Sequence, residues 1–207
     1  MGFPFCILPN RRWSWRKSLK IKKERKIHDV IDEVLQNNLK YADQFTLGHL
    51  PMPPARKLAV LACMDARLTV EQFLGLKTGD AHIIRNAGGI ASEDALRSLI
   101  ISHHLLGTQE FIIVNHTDCG MLTFKDHELL GRLEKQSGTA FVAPVHFHAF
   151  SDVEENVRRQ IQRVRSHPFI PSHIPVRGFV YDVTTGRLEE ISEPAAAKLP
   201  TAARRSA

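Results

Sequence analysis

His116 and Cys119 stand three positions apart in HTDCGM, directly after the stretch FIIVN. Imidazole and thiolate both suit a borderline-soft ion such as Zn²⁺, so an H-x-x-C pair supplies part of a tetrahedral ligand set. A third thiol, Cys63, closes another apolar run and opens CMDAR, which adds the carboxylate of Asp65 and the guanidinium of Arg67. Residue type and spacing leave three readings open. Cys63, His116 and Cys119 converge on one ion with a fourth position left over, the pattern of a catalytic zinc; or the cysteines are small buried apolar groups beside a strand-end histidine; or Cys63 is a nucleophile with His116 as its base. The last leaves Cys119, Asp65 and Arg67 without a role. Cys6 lies in a basic leader and is a poor fourth ligand.

Such residues act together only if the chain carries them to one place. KLAVLAC (57–63), AHIIRNAGG (81–89) and EFIIVNH (110–116) are short and nearly all apolar, the signature of strands buried on both faces of a parallel sheet. Helical segments separate them. Thr69 with Gln72 reads as a capping box before Phe73 and Leu74, and Ser92 with Glu93 and Asp94 opens a helix through Leu96, Leu99, Ile100 and Leu106 that Gly107 closes. Ser151 and Glu154 read as a further capping box for a helix to about Arg165. VRGFVYDV (176–183) and RLEEI (187–191) read as a last core strand with a hairpin partner. Ile27, Val30, Ile31, Val34, Leu35, Leu39 and Phe45 recur at helical spacing, predicting an amphipathic helix over about 27–46 that lays one face on something.

The expectation is an α/β domain: about four parallel strands plus an edge hairpin strand, flanked by helices. Functional groups in such sheets gather beyond the carboxyl ends of the strands. The three chemical segments, Cys63 to Arg67, Arg85 to Gly89 and His116 to Gly120, all follow strands. Main-chain N–H groups near Asn86, Gly88, Gly89 and Gly120 form a candidate pocket for developing negative charge, although tight-turn geometry also accounts for the glycines. The histidines at 82, 103, 104, 127, 146 and 148 have no spacing that singles out a proton shuttle.

The net charge of +6 invites an acidic partner, but residues 1–26 carry nine Lys/Arg against Glu24 alone and the remainder is net −2. A nucleic-acid function therefore lacks an electrostatic footing in the body of the chain. The expected organisation is a basic extension over 1–26, a zinc domain over 27–192 and a loose Ala/Pro-rich tail over 193–207. No window suits a membrane span, and three cysteines without a secretory signal favour a reducing, cytoplasmic setting. The Arg/Lys-rich, acid-poor start is also compatible with an organellar presequence.

In combination and order, CMDAR, RNAGG and HTDCGM resemble the β-class carbonic anhydrases, in particular their small microbial and fungal branch, over roughly residues 27–192. The resemblance implies that Cys63, His116 and Cys119 ligate one Zn²⁺. It implies that Asp65 either closes the fourth position or swings to Arg67 and admits water, so that a zinc-bound hydroxide attacks CO₂ to give bicarbonate. It also implies a homodimer, or a dimer of dimers, with the cleft at the interface and the first helix lying across the partner. Carbonyl sulfide hydrolases and carbon disulfide hydrolases resemble the same pattern, so COS hydrolysis to CO₂ and H₂S stays the nearest alternative. A non-catalytic zinc or bicarbonate-binding protein is the more distant one.

Overall fold

A computed structural model describes residues 30–140 and 146–192. The leader 1–26, the first residues of the predicted first helix and the tail from 193 lie outside the described residues. The chain divides into two units, residues 1–48 and 49–207.

The described part of the first unit centres on α1, Val30–Asp43. Asp32 and Glu33 in its first turn and Lys40 in its last oppose the helix dipole with the favourable sign. The amphipathic pattern is realised, but Val30, Ile31, Val34, Leu35 and Leu39 are exposed and no residue of α1 is buried. The face expected to pack is exposed among the described residues.

The second unit is a five-stranded sheet in the order β2-β1-β3-β4-β5. Its strands are β1 (Leu58–Cys63), β2 (Ala81–Asn86), β3 (Glu110–His116), β4 (Val176–Tyr181) and β5 (Leu188–Glu190). The first four run parallel, and β5 returns antiparallel along β4. The helices are α2 (Val70–Phe73), α3 (Glu93–Leu106), α4 (Asp126–Ser137) and α5 (Val153–Arg165). None among the described residues is long and apolar enough to cross a membrane.

Central β1 is apolar on both sides because both sides are covered. Ala59 and Leu61 join Leu99 of α3 and Val157 and Ile161 of α5, while Val60 and Ala62 pack with Val70 and Val114 on the other side. Each Val or Leu fully buried this way stabilises by about 1.5–3 kcal/mol. β2 was expected to be buried on both faces as well. It occupies the sheet edge, where only β1 adjoins it, and its residues are half-buried apart from the exposed Arg85. Gly178 lets α5 approach β4: a Cβ there would strike Val157 and Ile161.

Two caps follow the sequence and two depart from it. Ser92 accepts from the Ala95 N–H, and Gly107 closes α3 in the left-handed region at φ 75°. Thr69 occupies the N-cap of α2 but its hydroxyl donates to the Gln72 side chain at 3.0 Å and caps no main-chain N–H. The cap of α5 is Asp152, one residue beyond the expected Ser151; its carboxylate accepts from Glu155 N–H at 2.9 Å. The charged Asp oxygen is the stronger acceptor at a helix N-terminus.

Candidate metal centre

β1 and β3 are hydrogen-bonded neighbours, and sequence order reverses across them, since β2 leaves β1 on one side and β3 joins it on the other. Cys63 is the last residue of β1 and His116 the last of β3, so this switch point places both at the carboxyl edge. Asp118 takes a left-handed backbone conformation at φ 54°, which turns the chain and returns Cys119 to the same spot. The ligand atoms of Cys63, His116 and Cys119 all lie within 4.8 Å of one another, and all three residues are buried.

The imidazole fits a metal. His116 Nδ1 lies 2.8 Å from the Thr117 carbonyl, which can only accept, so the proton sits on Nδ1. Nε2 then offers a lone pair, and it is a buried side-chain nitrogen with no hydrogen-bond partner among the described residues. Orphaned buried polar atoms are rare in native proteins, and a metal ligand is one of the few roles that explains one. With two sulfurs facing it, the donor set is that of tetrahedral zinc.

Cys63 is held well below the ordinary cysteine range first by the neighbouring Cys119 thiol, then, against burial, by His116 and by the main chain at Asp65 and Gly88. Cys119 is pushed up first by the neighbouring Cys63 sulfur and then by burial. For His116, burial is the largest influence and acts downward, but the adjacent Cys63 sulfur and the Thr117 carbonyl outweigh it.

Arg67 organises the rim. Its Nε donates to Asp65 Oδ1 at 2.9 Å and its Nη2 to Oδ2 at 2.8 Å, a bidentate fork, while the Arg67 main-chain N–H also reaches Oδ1 at 2.9 Å. Nη1 holds Asp118 Oδ2 at 2.7 Å and Nη2 the Asp118 carbonyl at 3.0 Å, which ties CMDAR to the HTDC turn. The Arg67 side chain above all holds the Asp65 carboxyl well below the usual carboxylate range. Asp65 Oδ2 remains 3.8 Å from His116 Nε2.

Of the pocket residues expected from sequence, Asn86 and Gly89 face other tasks. Asn86 donates to the Ile90 carbonyl and accepts from the Ile90 N–H, both at 2.7 Å, and the Gly89 N–H goes to the Asn86 carbonyl at 3.2 Å. Gly88 stays beside the centre, where its backbone helps to hold the Cys63 thiol below its ordinary range. Its φ of 81° suits glycine, and a Cβ would press on Met121 and Phe150 at 3.1 and 3.2 Å.

Several contributors carry no sequence signal of their own. Leu68, Ile90, Met121 and Phe150 enclose the two sulfurs in one apolar cluster. Arg85 lay within a quoted segment, but only the fold reveals its use: Nε donates to the Cys63 carbonyl at 3.0 Å and Nη2 to the Asp65 carbonyl at 2.7 Å.

A family model described as carbonic anhydrase matches residues 58–188. β-carbonic anhydrase 1 of Mycobacterium tuberculosis is 46% identical over 164 residues, covering 79% of this chain and 98% of that one. A carbon disulfide hydrolase of Acidianus sp. is 35% identical over 184 residues, covering 78% and 90%. The crystal structure of a carbonic anhydrase from Streptococcus mutans superposes with a TM-score of 0.76 at 40% identity, covering 80% of this chain and 99% of that chain.

Proposed function

The chain belongs to the β-carbonic anhydrase family, and from that premise we propose that it catalyses the reversible hydration of CO₂ to bicarbonate at the Cys63, His116 and Cys119 centre. The observation that carries this reading is the orphaned Nε2 of His116, facing two sulfurs, with Asp65 drawn aside by Arg67. Cys63, His116 and Cys119 would hold Zn²⁺, which supplies a Lewis acid and lowers the pKa of a bound water.

The chain's own groups do the rest. Asp65, ionised at neutral pH through Arg67, accepts a hydrogen bond from the attacking water and orients it. Arg67 also gates: while its fork holds, the carboxylate is kept from becoming a fourth donor to the metal. Leu68, Ile90, Met121 and Phe150 offer an apolar wall suited to a small uncharged substrate and poor for bulk water. Among the main-chain donors foreseen for the developing negative charge, the Gly89 N–H serves the Asn86 carbonyl, and the Gly120 N–H takes that role. The exposed apolar residues of α1 support the reading of a homodimer in which this helix lies on a second copy.

A stopped-flow pH-indicator assay on zinc-loaded protein tests the activity. A rate no faster than buffer between about pH 7 and 9 overturns it. The similarity to a carbon disulfide hydrolase favours a second reading, hydrolysis of CS₂ or COS with release of H₂S. CO₂ and its sulfur analogues are linear and attacked at carbon, so pocket shape and polarity decide between them. Sulfide release measured beside CO₂ hydration separates the two.

A further inference from the structure

α5 carries two distinct faces. Val157, Ile161 and Val164 sink into the core, while Asn156, Arg159, Gln160 and Arg163, at i, i+3, i+4 and i+7, form a second and polar stripe. All four residues of that stripe line one cavity of about 180 Å³, whose lining Ile90 and His148 continue. Pockets for drug-sized molecules run to about 300–1,000 Å³, so this one suits a small ion. It adjoins the metal centre without sharing a ligand with it: Ile90 also packs with Cys63 and Cys119, but none of the three candidate ligands lines the cavity.

The chemistry of the lining is cationic. Arg159 has no acceptor among the described residues. The Arg163 side chain reaches Glu93 at 3.2 Å, but that carboxylate is 93% exposed, and an ion pair of this kind is weak and readily exchanged. No carboxylate lines the cavity among the described residues. His148 contributes from a left-handed backbone at φ 61°, with its N–H held by Asp126 at 3.2 Å.

Beneath the arginines the amides are buried and their direction is fixed. The Ala91 N–H donates to Gln160 Oε1 at 3.0 Å, Gln160 Nε2 donates to Asn156 Oδ1 at 2.9 Å, and Asn156 Nδ2 donates to Asn115 Oδ1 at 2.7 Å. A main-chain N–H can only donate, so the first bond sets the orientation of both amides on α5. An amide nitrogen carries two N–H groups. Asn156 and Gln160, both buried, therefore each keep a second N–H without an acceptor among the described residues. Buried donors left in that state are costly and uncommon.

We propose that this cavity is a binding site for a small tetrahedral oxyanion, phosphate or sulfate, held by Arg159 and Arg163 and by the spare N–H groups of Asn156 and Gln160. Guanidinium forks match the oxygen spacing of such an ion and bind it bidentately. Four oxygens can serve two forks and two amides together, whereas planar bicarbonate has fewer to offer and chloride has none. The site needs no metal, so it stands or falls independently of the reaction at Cys63, His116 and Cys119.

The test is calorimetric titration of inorganic phosphate, and separately of sulfate, into zinc-loaded full-length protein, with bicarbonate and chloride as comparisons. The tetrahedral ions should bind at least about tenfold tighter than either comparison, and the tighter of the two names the ion the site prefers. Arg159→Gln and Arg163→Gln should each weaken that binding about tenfold. Arg158→Gln removes the same charge from the same helix, but Arg158 pairs with Glu154 and Glu155 outside the cavity, so its affinity should match the parent's. In heteronuclear NMR spectra the side-chain amide signals of Asn156 and Gln160 should move as phosphate is added, and that of Gln72 on α2 should not. The proposal is overturned if neither tetrahedral ion binds, or if bicarbonate or chloride binds as tightly. Unaltered affinity in both cavity variants also overturns it, since the ion would then sit elsewhere. An equal loss in Arg158→Gln would reduce the effect to net charge, and amide signals that stay still would deny the buried donors a part; each of these overturns it too.

Discussion

The guanidinium of Arg67 grips the carboxylate of Asp65 with two parallel hydrogen bonds, Nε to Oδ1 at 2.9 Å and Nη2 to Oδ2 at 2.8 Å. Lysine carries the same charge but cannot form the fork and hold Asp118 as well. Arg67→Lys should therefore keep its metal, since no ligand is touched, and lose about 10–100-fold in kcat/KM for CO₂ hydration. Metal analysis beside stopped-flow rates checks it; unaltered kinetics would deny the dyad a role. Asp65→Ala should likewise retain zinc with a changed rate, whereas a non-catalytic binding protein would be indifferent.

Removing a ligand tests the centre itself. His116→Ala should lose zinc through dialysis, while the parent retains about one ion per chain. Because the ion binds only the folded chain, saturating zinc stabilises the parent by about 2.7 kcal/mol at a hundredfold excess over Kd. Thermal melts with and without a chelator should thus differ for the parent and coincide for the variant. A chelator shift that survives in His116→Ala would place the metal elsewhere.

The grouping of Cys63, His116 and Cys119 was legible in the sequence because Cys63 and His116 each stand where a buried strand runs out, with Cys119 three residues on, and a sheet switch point brings them together. The parallel order was legible for the same reason: continuous apolar runs demand cover on both faces. What escaped depends on contacts between distant residues. Asn156 and Gln160 stand one helical turn apart, but Asn115 is 41 positions from Asn156, and the three amides join only when α5 lies across β3 and β4. Asn86 and Gly89 looked like pocket donors, yet their groups close the turn locally. α4 passed without notice because Asp126–Ser137 is mostly polar and Gly131 interrupts its leucines.

The Gly89 backbone has φ 60°, and a Cβ there meets Asn115 Nδ2 at 2.6 Å, the Val114 carbonyl at 3.0 Å and the Cys63 main-chain nitrogen at 3.2 Å. Left-handed strain and overpacking add at one position, so Gly89→Ala should destabilise by about 2–4 kcal/mol. Gly138→Ala, also left-handed but with open space around the new Cβ, should cost about 1 kcal/mol. Urea denaturation of the two variants decides it. Equal losses would mean that strain, not the approach of Asn115, governs position 89.

Asp126 pins the loop that delivers Phe150 over the centre. Its carboxylate accepts from the N–H groups of Phe147, His148 and Ala149 at 3.0, 3.2 and 2.9 Å, and His148 is held at φ 61°, a strained conformation for a non-glycine residue. Burial pushes the carboxyl pKa up, but the three N–H donors outweigh it and the net shift is downward. A depressed folded pKa contributes stability that is complete above the unfolded value of about 3.9 and is lost as pH falls through the folded pKa. Asp126→Asn removes the charge and, at neutral pH, should cost about 1–2 kcal/mol through weaker bonds to the three N–H groups. The gap between metal-free parent and variant should stay constant from pH 7 to about 5 and close as pH drops below about 4. Urea midpoints measured across that range supply the check. A gap that persists unchanged to pH 3 would show that the loop is held by something other than the ionised carboxylate.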